Sequence, residues 1–376
     1  MKIVADENIP LLEEFFAGFG SLIRRPGRQL SPTDVADADV LLVRSVTPVG
    51  PQLLQGSRVR FVGTATIGTD HLDLPWLEQA GIGVAAAPGC NARAVAEYVV
   101  AVLLELYAGP GTGKTLAVVG LGNVGSQVAA LAGQLGWRII GHDPLVKRAG
   151  IEQLPLPTVL AEADVICLHT PLTRSGPCPT WHLIGATELA AMKPDALVIN
   201  GGRGAVVDNA ALLHSLQAGR LRTALDVWEG EPALLPGLLD HVAFGTPHIA
   251  GYSLDGKWRG TQQVYEALCH HLGQLPSLRY QDFVPALAGP ALGIPSGTGY
   301  RAALRLAVRQ AYDIRRDDAA LRQTRQQAQP ELAFDELRRH YPARREFAAH
   351  RLLLPAGHPA TATLAALGFG LGEPVG

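Results

Sequence analysis

The sequence predicts an α/β protein built on doubly wound parallel sheets, and three observations carry that expectation. Short apolar runs alternate with helical patterns from the first residues onward. The alternation restarts at Thr115 with runs so continuously apolar that their sheet must be covered on both faces. The chain is also long enough, at 376 residues and 47 % hydrophobic, to bury more than one core.

The elements follow in order. "KIVAD", "DVLLV", "VRFVGT" and "GVAAA" read as strands of a first lobe, with "LLEEFFAGF" and "LPWLEQAG" as helices among them. Residues 91–109 repeat their apolar side chains at helical spacing and close on a glycine, which suits a strut between two lobes. A second series of strands begins with "TLAVVG" and continues through "RIIGHD", "DVICLH", "ALVIN" and "RTALDV". A long helix over 254–272 then returns the chain to the first lobe. Residues 285–299 form a Pro/Gly/Ser-rich linker, and the Arg-, Ala- and Gln-rich tail beyond it is helical and a small unit of its own. These signals predict a discontinuous first domain over 1–92 and 254–286, a second over 93–253, and a third over 287–376.

Composition narrows the chemistry. A formal net charge of −2 gives no basic field for nucleic acid, though a few local arginines suffice for a small anion. Four cysteines without metal-ligand spacing fit a reducing compartment. The first residues carry charges where a signal peptide has its apolar run, and no run reaches the roughly 18 residues of a membrane span. A soluble cytoplasmic protein that binds no metal, nucleic acid or membrane is expected.

Two glycine-rich stretches compete for a phosphate. Residues 108–115, "AGPGTGKT", nearly match a nucleotide-triphosphate loop, but follow a helix and open a strand, the reverse of what that loop needs. "VVGLGNVG" has the right setting: Gly120, Gly122 and Gly125 follow a strand, open a helix, and precede a second strand that ends in Asp143. That is the fingerprint of a Rossmann dinucleotide site, with the helix N-terminus for the pyrophosphate and the carboxylate for the ribose diol. Asp143 would repel a 2′-phosphate, so NAD is expected rather than NADP.

Three further groups sit beyond strand ends. Arg203 follows "ALVIN" in a glycine-rich turn, Glu231 lies past "RTALDV", and His248 follows Pro247 in "GTPHIAGYS". Each alone suits a loop, a turn or a satisfied core histidine. Together they form the set that oxidises a secondary alcohol. Imidazole takes the hydroxyl proton, a carboxylate fixes its tautomer, and a guanidinium grips a substrate carboxylate and the forming carbonyl.

These residues resemble the D-isomer-specific 2-hydroxyacid dehydrogenases, through the late fingerprint, "HTPLT" (169–173), "NGGRGAVVD", "LDVWEGEP" and "PHIAG". The resemblance implies two Rossmann-like lobes, the substrate lobe being flavodoxin-like, and Arg203, Glu231 and His248 as the catalytic set. A narrower match extends through "RSVT", "VGTATIGTDHLD" and "YDIRRDD" into the tail, which it implies is an α+β dimerisation domain of a homodimer. It implies a phosphorylated 2-hydroxy acid as substrate, contacted by Ser45, Thr66 and Tyr252. It also implies NAD contacts at Asn123, Val124, Asp143, Thr170, Asp226 and Gly251. Ordinary turn capping is an equal reading of Ser45 and Thr66 taken alone. Arg44 is placed to meet a phosphate, whereas Arg338, Arg339, Arg344 and Arg345 read as solvated or dimer-facing surface. A dehydrogenase of another 2-hydroxy acid, such as phosphoglycerate, and an NAD-sensing regulatory protein are the alternatives.

Overall fold

The computed structural model describes residues 1–107, 111–284 and 291–372. It divides into two compact units, Met1–Asn91 with Ser253–Ala288, and Ala92–Tyr252 with Gly289–Gly376. The start of the 108–115 loop, the start of the 285–299 linker and the expected boundary at 286/287 lie outside the described residues.

The first unit holds a five-stranded sheet of β1 (Lys2–Asp6), β2 (Ser21–Arg25), β3 (Val40–Val43), β4 (Phe61–Thr64) and β5 (Gly83–Ala85), in the order β2-β1-β3-β4-β5. Every pairing is parallel. Its side chains alternate between two cores. Ile3, Ala5, Val40 and Leu42 pack with Phe15, Phe16, Val264 and Leu268, while Val4, Leu41, Val43 and Val62 pack with Leu53 and Leu77. The helix Leu254–His271 lies so close to the sheet that a Cβ on Gly63 would stand 2.4 Å from Val264 Cγ1.

The second unit is built on a seven-stranded sheet of β6 (Thr115–Val119), β7 (Arg138–His142), β8 (Glu152–Gln153), β9 (Val165–Leu168), β10 (Leu197–Asn200), β11 (Arg222–Leu225) and β12 (Phe244–Gly245). Its order is β12-β11-β10-β9-β6-β7-β8, all parallel. The order reverses between β6 and β9, where an open α/β sheet forms its ligand crevice. The central strands are wholly buried, as their unbroken apolar runs require. One face packs on the helices Ala92–Leu106 and Asn123–Gln134, the other on Leu156–Glu162, Ala186–Ala191 and Asn209–Gln217.

The tail differs from the expectation of a unit apart. It adds three short parallel strands, β13 (Leu292–Gly293), β14 (Arg351–Leu353) and β15 (Gly370–Leu371), with helices Tyr300–Ala311, Ile314–Thr324 and Pro330–Arg339. The first of these helices presents Ala303, Leu304, Ala307 and Val308 to the core that holds Val99 and Val102, and Phe347, Leu352 and Phe369 join the same core. The tail therefore shares one apolar interior with the second unit. The helix Tyr300–Ala311 ends at Tyr312, and Asp313 caps the next through the backbone N–H of Arg315.

Candidate active site

The glycine fingerprint forms a cradle at the sheet's reversal point. Gly120 follows β6 with φ +90°, a left-handed conformation open to glycine, and a Cβ there would stand 2.8 Å from the His169 carbonyl beyond β9. At Gly125 a Cβ would stand 1.9 Å from Gly120 O, so this glycine lets the helix Asn123–Gln134 begin against the strand. Gly122, the N-cap, has nothing within 4 Å of the same position. Open space thus lies before the free N–H groups of a helix that starts at Asn123 and Val124, as an anionic ligand needs.

Asp143 follows β7 directly. Its Oδ2 accepts from Leu121 N at 2.8 Å, and its Oδ1 from Leu145 N and Val146 N, each at 2.9 Å. The carboxylate braces the glycine loop and keeps acceptor capacity for a diol. Just past β9, Thr170 Oγ1 and both ring nitrogens of His169 are shielded and have no partner among the described residues. Burial pushes the His169 pKa down to about 4, so its ring is neutral. Orphaned polar atoms beside an open helix N-terminus fit a bound dinucleotide.

His248 lies beyond β12, with φ +55°. A non-glycine residue held in the left-handed region costs on the order of 1–3 kcal/mol and persists only where its surroundings impose it. Asp226, after β11, imposes it here. Its backbone oxygen accepts from His248 N at 2.8 Å. Its buried carboxylate accepts from Thr246 Oγ1 at 2.7 Å, Ile249 N at 2.8 Å and Ala250 N at 2.9 Å. Burial raises the Asp226 pKa, against the opposing pull of the His248 charge and these three hydrogen bonds.

His248 Nδ1 is hydrogen-bonded to Glu231 Oε1, and Glu231 Oε2 accepts from Trp228 N at 3.0 Å. Burial alone would raise the Glu231 pKa. The His248 hydrogen bond and charge, the Trp228 N–H and the Arg338 charge outweigh it and leave the carboxyl below its usual range. An ionised carboxylate on Nδ1 leaves Nε2 as the proton-accepting atom of a neutral imidazole.

Arg203 follows β10, the neighbour of β11, and Nη1 donates to Gly202 O at 2.9 Å. A Cβ on Gly204 would stand 2.0 Å from the Trp228 carbonyl carbon. The loop bearing Arg203 therefore lies against the loop bearing Glu231. Gly251 and Tyr252 close the His248 turn, where Tyr252 N donates to Ile249 O at 2.7 Å.

In the first unit, Ser45 and Thr66 lie past the ends of adjacent strands β3 and β4. Ser45 is exposed, whereas Thr66 Oγ1 bonds Thr64 Oγ1 at 2.8 Å and Gly68 O at 3.2 Å, so it also serves its own turn. Arg44 pairs with buried Asp6 at 2.9 Å.

The surface reading of Arg344 is corrected. Its side chain is buried, donates to Ala94 O at 2.9 Å and Ala250 O at 3.2 Å, and stacks over Tyr312 with 3.8 Å from Cζ to the ring centroid. Residue reasoning also missed Asp226 as the anchor of the His248 turn. The signal was its place directly after an apolar strand, which a ligand contact and an anchor share.

Residues 105–250 match the family described as D-isomer specific 2-hydroxyacid dehydrogenase, NAD binding domain, and residues 283–368 match a domain of unknown function. The chain is 50 % identical over 354 residues to erythronate-4-phosphate dehydrogenase of Pseudomonas syringae pv. tomato, covering 92 % of this chain and 93 % of that protein. It is 50 % identical over 366 residues to the protein of the same name from Marinobacter nauticus, covering 94 % and 95 %. Among solved structures, D-lactate dehydrogenase from Aquifex aeolicus, complexed with NAD and lactic acid, superposes with a TM-score of 0.61 at 25 % identity. That match covers 72 % of this chain and 96 % of that one.

Proposed function

Because the chain belongs to the erythronate-4-phosphate dehydrogenase family, we propose that it oxidises 4-phospho-D-erythronate to 2-oxo-3-hydroxy-4-phosphobutanoate with NAD, in pyridoxal phosphate synthesis. The single observation that carries this reading is the imidazole of His248, held through Nδ1 by an ionised Glu231 on the same sheet edge as the dinucleotide cradle.

A bound NAD would supply the acceptor for the hydride that leaves C2 of the acid. Gly120, Gly122, Asn123, Val124 and Gly125 would hold its pyrophosphate, Asp143 the ribose diol, and Thr170, Asp226 and Gly251 the remainder. His248 takes the C2 hydroxyl proton at Nε2, and Glu231 stabilises the imidazolium that forms. Arg203 holds the C1 carboxylate and draws electron density from the C2 oxygen as it becomes a carbonyl. Ser45, Thr66 and Tyr252 contact the substrate. The C-terminal region carries self-association into a homodimer, and the protein works in the cytoplasm.

The test is NADH absorbance with a panel of 4-phospho-D-erythronate, unphosphorylated erythronate, 3-phosphoglycerate and D-lactate. Turnover is expected with the first, at the highest kcat/KM of the set. A higher kcat/KM with 3-phosphoglycerate or lactate overturns the substrate assignment. NAD binding without turnover of any acid overturns the enzyme reading.

A further inference from the structure

The tail touches the His248 turn from several sides. Asp318 Oδ1 accepts from Gly245 N at 2.8 Å, three residues before His248. The same carboxylate clasps Arg322, whose other nitrogens donate to Leu239 O at 2.7 Å and Val242 O at 3.0 Å, on the approach to β12. Beyond the histidine, buried Arg344 donates to Ala250 O. Tyr341 sets its ring edge-on to Tyr252, with 5.7 Å between centroids and an 84° interplanar angle. Its hydroxyl donates to Asp317 Oδ2 at 2.8 Å, and Tyr312 donates to the same oxygen at 2.9 Å.

These contacts have one feature in common: they fall on both flanks of a residue whose backbone is strained. Asp226 bonds the turn from below, through strand β11. The tail adds a hydrogen bond to Gly245 N and a ring contact to Tyr252. The holds on Gly245, Leu239, Val242 and Ala250 use charged side chains on backbone groups, stronger than neutral pairs and poor at tolerating displacement. A displacement of about 1 Å in a positioned base can cost 10²-fold in rate.

We propose that the C-terminal region, residues 291–372, is a clamp that positions the acid/base turn of its own chain, with Asp318, Arg322, Tyr341 and Arg344 as positioning residues. The proposal rests on the reading of His248 and Tyr252 given above. It gives the region matched as a domain of unknown function a role in turnover that is separate from self-association.

The test uses the full chain with Asp318→Ala, Tyr341→Ala and Tyr341→Phe, and His248→Ala as control. Hydrogen–deuterium exchange of the peptide over 244–252, kcat and KM for the phosphorylated acid, NADH affinity and mass by light scattering are measured. For Asp318→Ala, exchange over 244–252 is expected to rise roughly tenfold and kcat to fall roughly tenfold or more, with mass and NADH affinity unchanged. For Tyr341→Ala, KM is expected to rise about tenfold, and Tyr341→Phe, which keeps the ring, to recover most of it. Unchanged exchange and unchanged kcat and KM in the alanine variants overturn the clamp, as do losses that follow only a change in mass. If Asp318→Ala fails to fold, the Tyr341 pair decides alone. A fully active His248→Ala overturns the catalytic reading instead, and the exchange measurement then still judges the clamp.

Discussion

Glu231 and His248 lie 17 positions apart in sequence, yet they share one hydrogen bond. That bond engages Nδ1 and leaves Nε2 as the atom that would take a proton in the proposed reaction. Replacing His248 by Ala is expected to lower kcat by about 10² to 10⁴, the range for loss of a positioned general base, with NADH affinity retained. Steady-state rates beside a fluorescence titration of NADH check this, and a near-normal kcat excludes His248 as the base. Both were candidates in the sequence because they lie beyond strand ends, Glu231 past β11 and His248 past β12. The conformation of His248 was not legible there, because even the residue types enriched in the left-handed region adopt it only occasionally, and here it is imposed by Asp226. Arg344 was misread for a related reason. An arginine beside another arginine looks solvated until the carbonyls and the aromatic ring that receive it are in place.

Among the elements, the helix Ala92–Leu106 carries the least expected charge. Glu97 is fully buried, and Oε1 accepts from Arg93 Nε at 2.8 Å and from Phe347 N at 2.9 Å. Burial, with the nearby Glu346 carboxylate, pushes the Glu97 pKa up to about 7, against the pull of Arg93 and Arg344. A carboxyl whose pKa is raised on folding binds more protons folded than unfolded between its ordinary value and about 7. Its contribution to stability is therefore full at low pH and is lost as pH rises through that window. Glu97→Gln is expected to flatten the fall in melting temperature between pH 5 and pH 8, which a thermal scan over that range measures. An unaltered slope removes Glu97 as its source. Strands with continuous apolar runs were legible, since burial on both faces leaves no other composition. The edge strand β2 (Ser21–Arg25) was not, because its exposed "SLIRR" has the polarity of a loop.

For the whole molecule, the expectation of self-association gives a light-scattering mass twice that of one chain, and a single-chain mass across the working concentration range rules it out. The alternation of strands and helices made the central strands of the two large sheets legible, with their parallel sense. The sharing of a core between tail and second unit was hidden, because Phe347 and Val102 are brought together by packing over a separation that no local spacing records. Chain order has a consequence for biosynthesis. The helix Leu254–His271, which covers one face of the first sheet, follows β5 by roughly 170 residues. At about 5–20 residues per second, translation leaves Ile3, Val40 and Leu42 without that cover for on the order of ten seconds or more. The nascent chain thus leaves the ribosome with this face covered only in part, by Phe15 and Phe16, a surface that a holding chaperone could shield until its last-made wall arrives.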